Sequence, residues 1–183
     1  HRKTNAMTYD QQHDAQAQAD YAQHLEQLAH PIPHLRAEAL GALAHMIRTR
    51  QYPPPRAAKR LVDALRDRLR DPNWAVVQKS LHVVVELAPH APPELDKLLL
   101  SDLTPAVVAK VADSRVVVRK AASQALIAYM ASTRHATELL SALIERGVRS
   151  SDVRQRQATL LFLSLTNVPL DGAVDGLSEL VTA

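Results

Sequence analysis

Apolar positions along the chain recur with a helical period in four separated runs. These begin "HLRAEALGALAHM" (34–46), "VVQKSLHVVVELA" (76–88), "VVRKAASQALIAYM" (117–130) and "VRQRQATLLFLSL" (153–165). Their small and apolar residues superimpose. The first run supplies Leu35, Ala39, Ala42, Leu43 and Met46, the second Val77, Leu81, Val84, Val85 and Ala88. The third supplies Val118, Ala122, Ala125, Leu126 and Tyr129. The fourth repeats the pattern as Arg154, Ala158, Leu161, Phe162 and Leu165, with a polar residue in the lead position. Each set is spaced 0, 4, 7, 8 and 11, which places it on one face of an α-helix. The reference positions 35, 77, 118 and 154 are 42, 41 and 36 residues apart. That is about the length of one HEAT or armadillo repeat.

Each run is preceded by another helical stretch, roughly Tyr9–Ala29, Arg56–Arg70, Pro92–Ala112 and His135–Val148. Thr104-Pro105 predicts a break in the third, because proline removes a backbone donor and crowds the preceding turn. The clusters "QYPPP" (51–55) and "PHAPP" (89–93) end one hairpin and stiffen the link to the next. A single hairpin would leave its apolar face wet, whereas stacked hairpins bury these faces in one continuous core. The predicted fold is all-α, a right-handed α-solenoid of about four HEAT/armadillo-like helical hairpins spanning residues 9–166. Residues 1–8 are expected to be extended or disordered, and 167–183 to form an acidic C-terminal segment.

Composition agrees with this. The 183 residues are 46% hydrophobic and 22% charged, with only 4 Gly and with 11 Pro that mostly sit between apolar runs. No cysteine is present, which excludes disulfides, thiolate metal sites and Cys nucleophiles. No apolar run approaches 18 residues, and no secretory signal is visible. The chain opens on His1 rather than Met, as expected for a piece of a longer protein. Net charge is +3. Asp171, Asp175 and Glu179 give the segment from Asn167 a charge of −3, leaving +6 on the first 166 residues. That basic excess favours acidic partners.

The turns "DPNWAVV" and "DSRVVVR" resemble the HEAT consensus, in which a turn Asp precedes a Val-Arg in the second helix; Asp113, Val118 and Arg119 match it. Trp74 in its turn, together with "LIERGVRSSDVRQRQATLLFL" (143–163), is similar to the tubulin-binding TOG domains of the CLASP and crescerin type. The resemblance covers about Leu61–Leu165. It implies that a turn aromatic and turn-proximal Lys and Arg residues meet curved αβ-tubulin. It also implies a cytoplasmic, cytoskeletal location, at a cilium or centrosome. A second stretch, "NWAVVQKSLHVVVEL", resembles the N-W-x-V-x-x-K-x-L run of phosphoinositide-binding ENTH and ANTH domains through Trp74, Lys79 and Leu81. Under that alternative the partner is membrane lipid.

Trp74, with Asn73 beside it, falls on the turn edge, three residues before a reference position. It is either an exposed aromatic anchor of the kind common at interface hot spots, or a staple against its own or the neighbouring repeat. Two residues after the reference positions come Ala37, Lys79, Lys120 and Arg156. Three repeats thus place a cation in the first turn of a helix, where the macrodipole makes it mildly unfavourable. An acidic partner would explain the choice; a solvated face with local ion pairs is the plainer reading. Arg115, Arg149 and Arg154 lie in or beside turns and are contact candidates. Arg119 and Asp113 are read as structural. In HEAT repeats such an arginine bonds the turn Asp of an adjacent repeat, and Arg36 shares its column.

The nine histidines form no H-E-x-x-H, and Pro31 and Pro33 separate His30 from His34, so no metal is expected. No phosphate-binding glycine motif or nucleophile elbow occurs. With few aromatics to stack bases, nucleic acid is an unlikely partner. The expectation is a non-enzymatic protein-binding module without cofactor, docking tubulin by its turn edge. The alternative is a scaffold that binds another protein on its concave face.

Overall fold

A computed structural model describes residue 16 and residues 18–166; the expectations for 1–8 and 167–183 lie outside the described residues. Everything regular among the described residues is helical. Residues 18–27 form α1. The long helices that follow are α2 (Pro33–Arg48), α3 (Pro55–Arg68) and α4 (Trp74–Leu87). The next hairpin is α5 (Pro93–Leu98) and α6 (Thr104–Ala109) followed by α7 (Val116–Ser132), and the last is α8 (Ala136–Leu143) with α9 (Val153–Leu165). Together they make four helical hairpins. The chain enters α2, α3 and α5 through prolines in the first helical turn, where a missing N–H breaks no bond.

The second helices stack side by side, α2 on α4 and α4 on α7. Leu40, Leu43, Ile47, Leu61, Leu65 and Leu81 are sealed between the layers. Each such side chain contributes about 1.5–3 kcal/mol relative to exposure, so the continuous core is what holds the stack.

The predicted break at Thr104-Pro105 is present and has a defined form. Leu99–Leu103 widens into a π turn before α6 restarts at Thr104. The Thr104 N–H and hydroxyl both donate to the Leu99 carbonyl, the latter at 2.9 Å, so the wider turn leaves no buried group unpaired there. A second π turn, Ile144–Val148, ends α8. In it a Cβ on Gly147 would come within 2.5 Å of Thr159 Oγ1, so only glycine lets α9 lie this close.

The structure corrects the repeat register. The residues preceding the first helical position are Ile32, Asn73, Arg115 and Asp152. The third residue after each is Leu35, Val76, Val118 and Gln155, one position away from the expected Val77 and Arg154 in the second and fourth repeats. The fourth repeat departs most. Its buried face is Gln155, Thr159, Phe162 and Leu163, while Leu161 and Leu165 of the expected face are 60% and 75% exposed. The two polar groups on the inner face are satisfied. Gln155 donates to the Val108 carbonyl at 2.7 Å, and the Thr159 hydroxyl to the Gln155 carbonyl at 2.8 Å.

Candidate functional site

The four turns that lead into α2, α4, α7 and α9 share one construction. The residue two before the capping position accepts that position's N–H through its side chain. These pairs are His30 with Ile32 (3.1 Å), Asp71 with Asn73 (2.9 Å), Asp113 with Arg115 (3.0 Å) and Ser150 with Asp152 (3.2 Å). In three of the four, an arginine in the first helical turn closes the loop. Arg36 Nη1 donates to the carbonyls of His30 and Pro31 (2.7 and 2.9 Å), and Arg119 Nη1 to those of Asp113 and Ser114 (2.8 and 3.0 Å). Arg156 Nη1 likewise donates to Ser150 and Ser151 (2.8 and 3.0 Å). Val77 holds this position in the second repeat.

This geometry redistributes the expected roles. Arg156, four residues after its cap, belongs with Arg36 and Arg119 as a turn clamp, and the corrected register also parts Lys79 from Lys120, which lie six and five residues after theirs. Arg119 bonds its own turn's backbone, not the Asp of an adjacent repeat. The lateral bond is made by Arg36, whose Nε and Nη2 reach Asp71 Oδ2 and Oδ1 at 2.8 and 2.9 Å. That pair is nearly sealed, with side-chain exposures of 8% and 1%. Burial pushes the Asp71 carboxyl upward. The Arg36 hydrogen bond, the Asn73 N–H and the charges of Arg36 and Arg68 outweigh this and hold it below the ordinary carboxylate value. Asn73 caps α4, its side-chain oxygen accepting the Ala75 N–H at 3.0 Å. Arg149 pairs with Glu145 one helical turn away.

The remaining candidates lie on the surface. Trp74 is the first residue of α4 and is 42% exposed, so its ring is partly packed and partly open to solvent. It is not alone. Ile32, Val116, Val117 and Val153 occupy the same helix starts and are exposed as well. Lys79, Arg115, Lys120 and Arg154 are exposed around them, and among the described residues their side chains make no ion pair. The Arg36–Asp71 bond and the Gln155–Val108 bond bring successive turn regions together along the stack. Each second helix thus begins with an exposed apolar side chain, and exposed cations stand in the same turns or within the next turn of helix.

Asp96 carries a role that the sequence reading did not assign. It is buried on α5, and its carboxylate accepts the Thr133 hydroxyl (2.9 Å) and the Arg134 N–H (3.1 Å), tying α5 to the α7–α8 turn. Its backbone carbonyl accepts the Tyr129 hydroxyl at 2.8 Å, and burial raises the Tyr129 phenol. The visible signal is an acid flanking the apolar stripe Leu95, Leu99 and Leu103. Among the described residues no three His, Asp or Glu side chains converge, and no helix is long and apolar enough to cross a membrane.

The fold and its edge define the class: an all-α solenoid of armadillo-like helical hairpins. Among solved structures the chain is similar to two engineered proteins, each at 19% identity. The TM-scores are 0.56 and 0.55, over 80% of this chain and 62% and 63% of theirs. It is also similar to a designed armadillo repeat protein in complex with the peptide (KR)4, at 18% identity and TM-score 0.52, over 79% of this chain and 63% of that one. The chain thus spans less than two thirds of the length of these structures. No family model and no curated protein matches it.

Proposed function

We propose that this chain is a non-enzymatic docking module whose turn edge binds an acidic protein surface. The observation that carries the reading is the exposed apolar side chain at the start of each second helix, Ile32, Trp74, Val116 and Val153, with Lys79, Arg115, Lys120 and Arg154 exposed on the same helices and turns. These half-exposed side chains leave apolar area in water, which burial in an interface would relieve. Arg115 caps α7 and Arg154 is the second residue of α9, where the macrodipole opposes a cation and an acidic partner would offset that; Lys79 and Lys120 follow about one turn into their helices. The designed armadillo protein above holds a basic peptide; the charge of the present edge calls for the opposite. The partner that best fits the resemblance to TOG domains is αβ-tubulin, and a cytoskeletal location is part of the same proposal.

Co-sedimentation with microtubules and with phosphoinositide liposomes, run in parallel, tests this. The reading predicts saturable binding to microtubules or free tubulin that weakens as salt rises past about 0.15 M, where screening acts within roughly 8 Å. Binding to liposomes alone would replace it with the lipid alternative. Salt-independent tubulin binding would remove the electrostatic part.

A further inference from the structure

The row of second helices is interrupted after α7. α7 packs on α4 and α6, whereas α9 packs on the π turn Ile144–Val148 of its own hairpin and on the short turn Lys110–Ala112 that follows α6; α7 and α9 do not lie along each other. The other repeats identify the sides that the two helices turn toward one another. In α2, Arg36 reaches Asp71 of the next repeat, and Leu40, Ala44 and Ile47, on the same helical stripe, are buried. The equivalent stripe in α4 is Val77, Leu81, Val85 and Ala88, and only Val85 is not sealed. In α7 it is Arg119, Ser123, Ile127 and Met130, and here Ser123 and Met130 are half-buried and Ile127 is 49% exposed. On the other helix, Leu161 and Leu165 stand nine and thirteen residues after the cap, as His82 and Glu86 do in α4. Glu86 reaches back to Arg48 of the preceding repeat at 3.4 Å, so this is the side that a second helix turns to its predecessor. In α9 that side stays open, with Leu161 60% and Leu165 75% exposed. A cleft thus separates α7 from α9, with Ile127 on one wall and Leu161 and Leu165 on the other.

We propose that this cleft docks an acidic amphipathic helix of a partner protein, seated beside α7 as α4 is seated beside α2. The shape argument is that α7 offers the same stripe on which α2 and α4 each receive a helix, so apolar anchors one and two turns apart on the incoming helix would meet Ile127, Leu161 and Leu165. The charge argument is that α7 and α9 carry Arg119, Lys120, Arg154 and Arg156 and not one acid. Arg119 and Arg156 are engaged in their turns, and the turn acids Asp113 and Asp152 accept backbone N–H groups. Lys120 and Arg154 therefore stand without an ion pair among the described residues, at the end of the cleft where both helices begin. Glutamates on the incoming helix would meet them at low desolvation cost, because both cations are exposed. The site is separate from the turn edge, since Ile127, Leu161 and Leu165 lie in the second halves of their helices.

Fluorescence anisotropy with the full chain and a labelled synthetic peptide tests this. The probe is an Ala-based helix of about 15 residues, roughly four turns, with Leu at i, i+4, i+7 and i+11 and Glu on the other faces. Saturable binding is expected. A probe with Lys in place of every Glu should bind at least about tenfold more weakly, a comparison that requires no variant of the protein. Ile127→Asp, and separately Leu161→Asp with Leu165→Asp, should each weaken binding of the Glu probe at least about tenfold. These changes replace exposed side chains and should leave the unfolding midpoint at the wild-type value. No saturable binding by the wild-type chain, or equal affinity for the Glu and Lys probes, would overturn the proposal. Binding that survives both cleft variants would also overturn it, assigning the probe to the turn edge.

Discussion

The junction between the first and second repeats and that between the third and fourth start from the same turn and are fastened differently. In the first, Arg36 clamps its own turn and also reaches across to Asp71 in a sealed two-point pair, and α2 lies along α4. In the third, Arg119 clamps its turn in the same way, but Ser150 stands where the next carboxylate would be. The intermediate junction lacks the other half. Val77 replaces the arginine, and Asp113 has only Lys110, at 3.7 Å, as its charge partner. α9 is fastened instead by the Gln155 amide on the Val108 carbonyl and by the close approach that Gly147 permits. The difference teaches that the turn motif and the lateral bond are separable. The side-chain acceptor two residues before the cap is common to all four turns and an arginine clamps three of them, while the ladder between repeats requires an arginine and an acid in adjacent repeats.

The largest effect should come from breaking the one complete rung. Arg36→Ala leaves Asp71 buried with only Arg68, at 3.1 Å, as a charge partner and should cost about 3–5 kcal/mol in urea unfolding. Arg119→Ala removes only the turn clamp and should cost about 1–2 kcal/mol. Equal losses for the two would erase the distinction. At the other junction, Gly147→Ala drives a methyl into Thr159 and should cost about 1–3 kcal/mol; an unchanged melting temperature would mean that α9 is not pinned there.

Acid should act through the same rung. The folded-state pKa of Asp71 is lowered, so its contribution is present above the unfolded value near 4 and is lost as pH falls from there through the folded value. Stability measured from pH 6 to pH 2 should fall less steeply for Arg36→Ala than for the wild type. Parallel profiles would remove the pair from the acid response. The smallest effect is a gain. Ser150→Asp offers Arg119 the missing carboxylate and still accepts the Asp152 N–H, as Asp71 and Asp113 do in their own turns, and should stabilise by about 0.5–1 kcal/mol.

Much of this architecture is legible in the chain. The 3.6-residue period located all four second helices, and the proline clusters placed the connections. Thr104-Pro105 marked a break, although not its π form, because a proline says where a turn cannot continue and not how the backbone re-pairs. The register slipped where sequence offers two equivalent choices. Val76 and Val77 are both apolar, and nothing in the pattern prefers one. In the fourth repeat the outward stripe carries the leucines while Gln155 and Thr159 face inward, so the hydrophobic pattern points to the wrong side. Arg156 was misplaced by that slip alone. Trp74, Arg115 and Arg154 reach the surface at the helix starts and Lys79 and Lys120 about a turn further on, yet no spacing encodes what such exposed residues meet.

The central claim is that the turn edge is a binding surface, and Trp74→Ala tests it most directly. Affinity for purified αβ-tubulin should be measured beside the unfolding free energy of the same variant. The account predicts a binding loss of about 2–4 kcal/mol, the range of an interface hot spot. The stability change should stay below about 2 kcal/mol, since the ring is 42% exposed rather than sealed. An affinity within twofold of wild type in a folded variant would contradict the claim, and so would a wild-type chain that binds no tubulin at all.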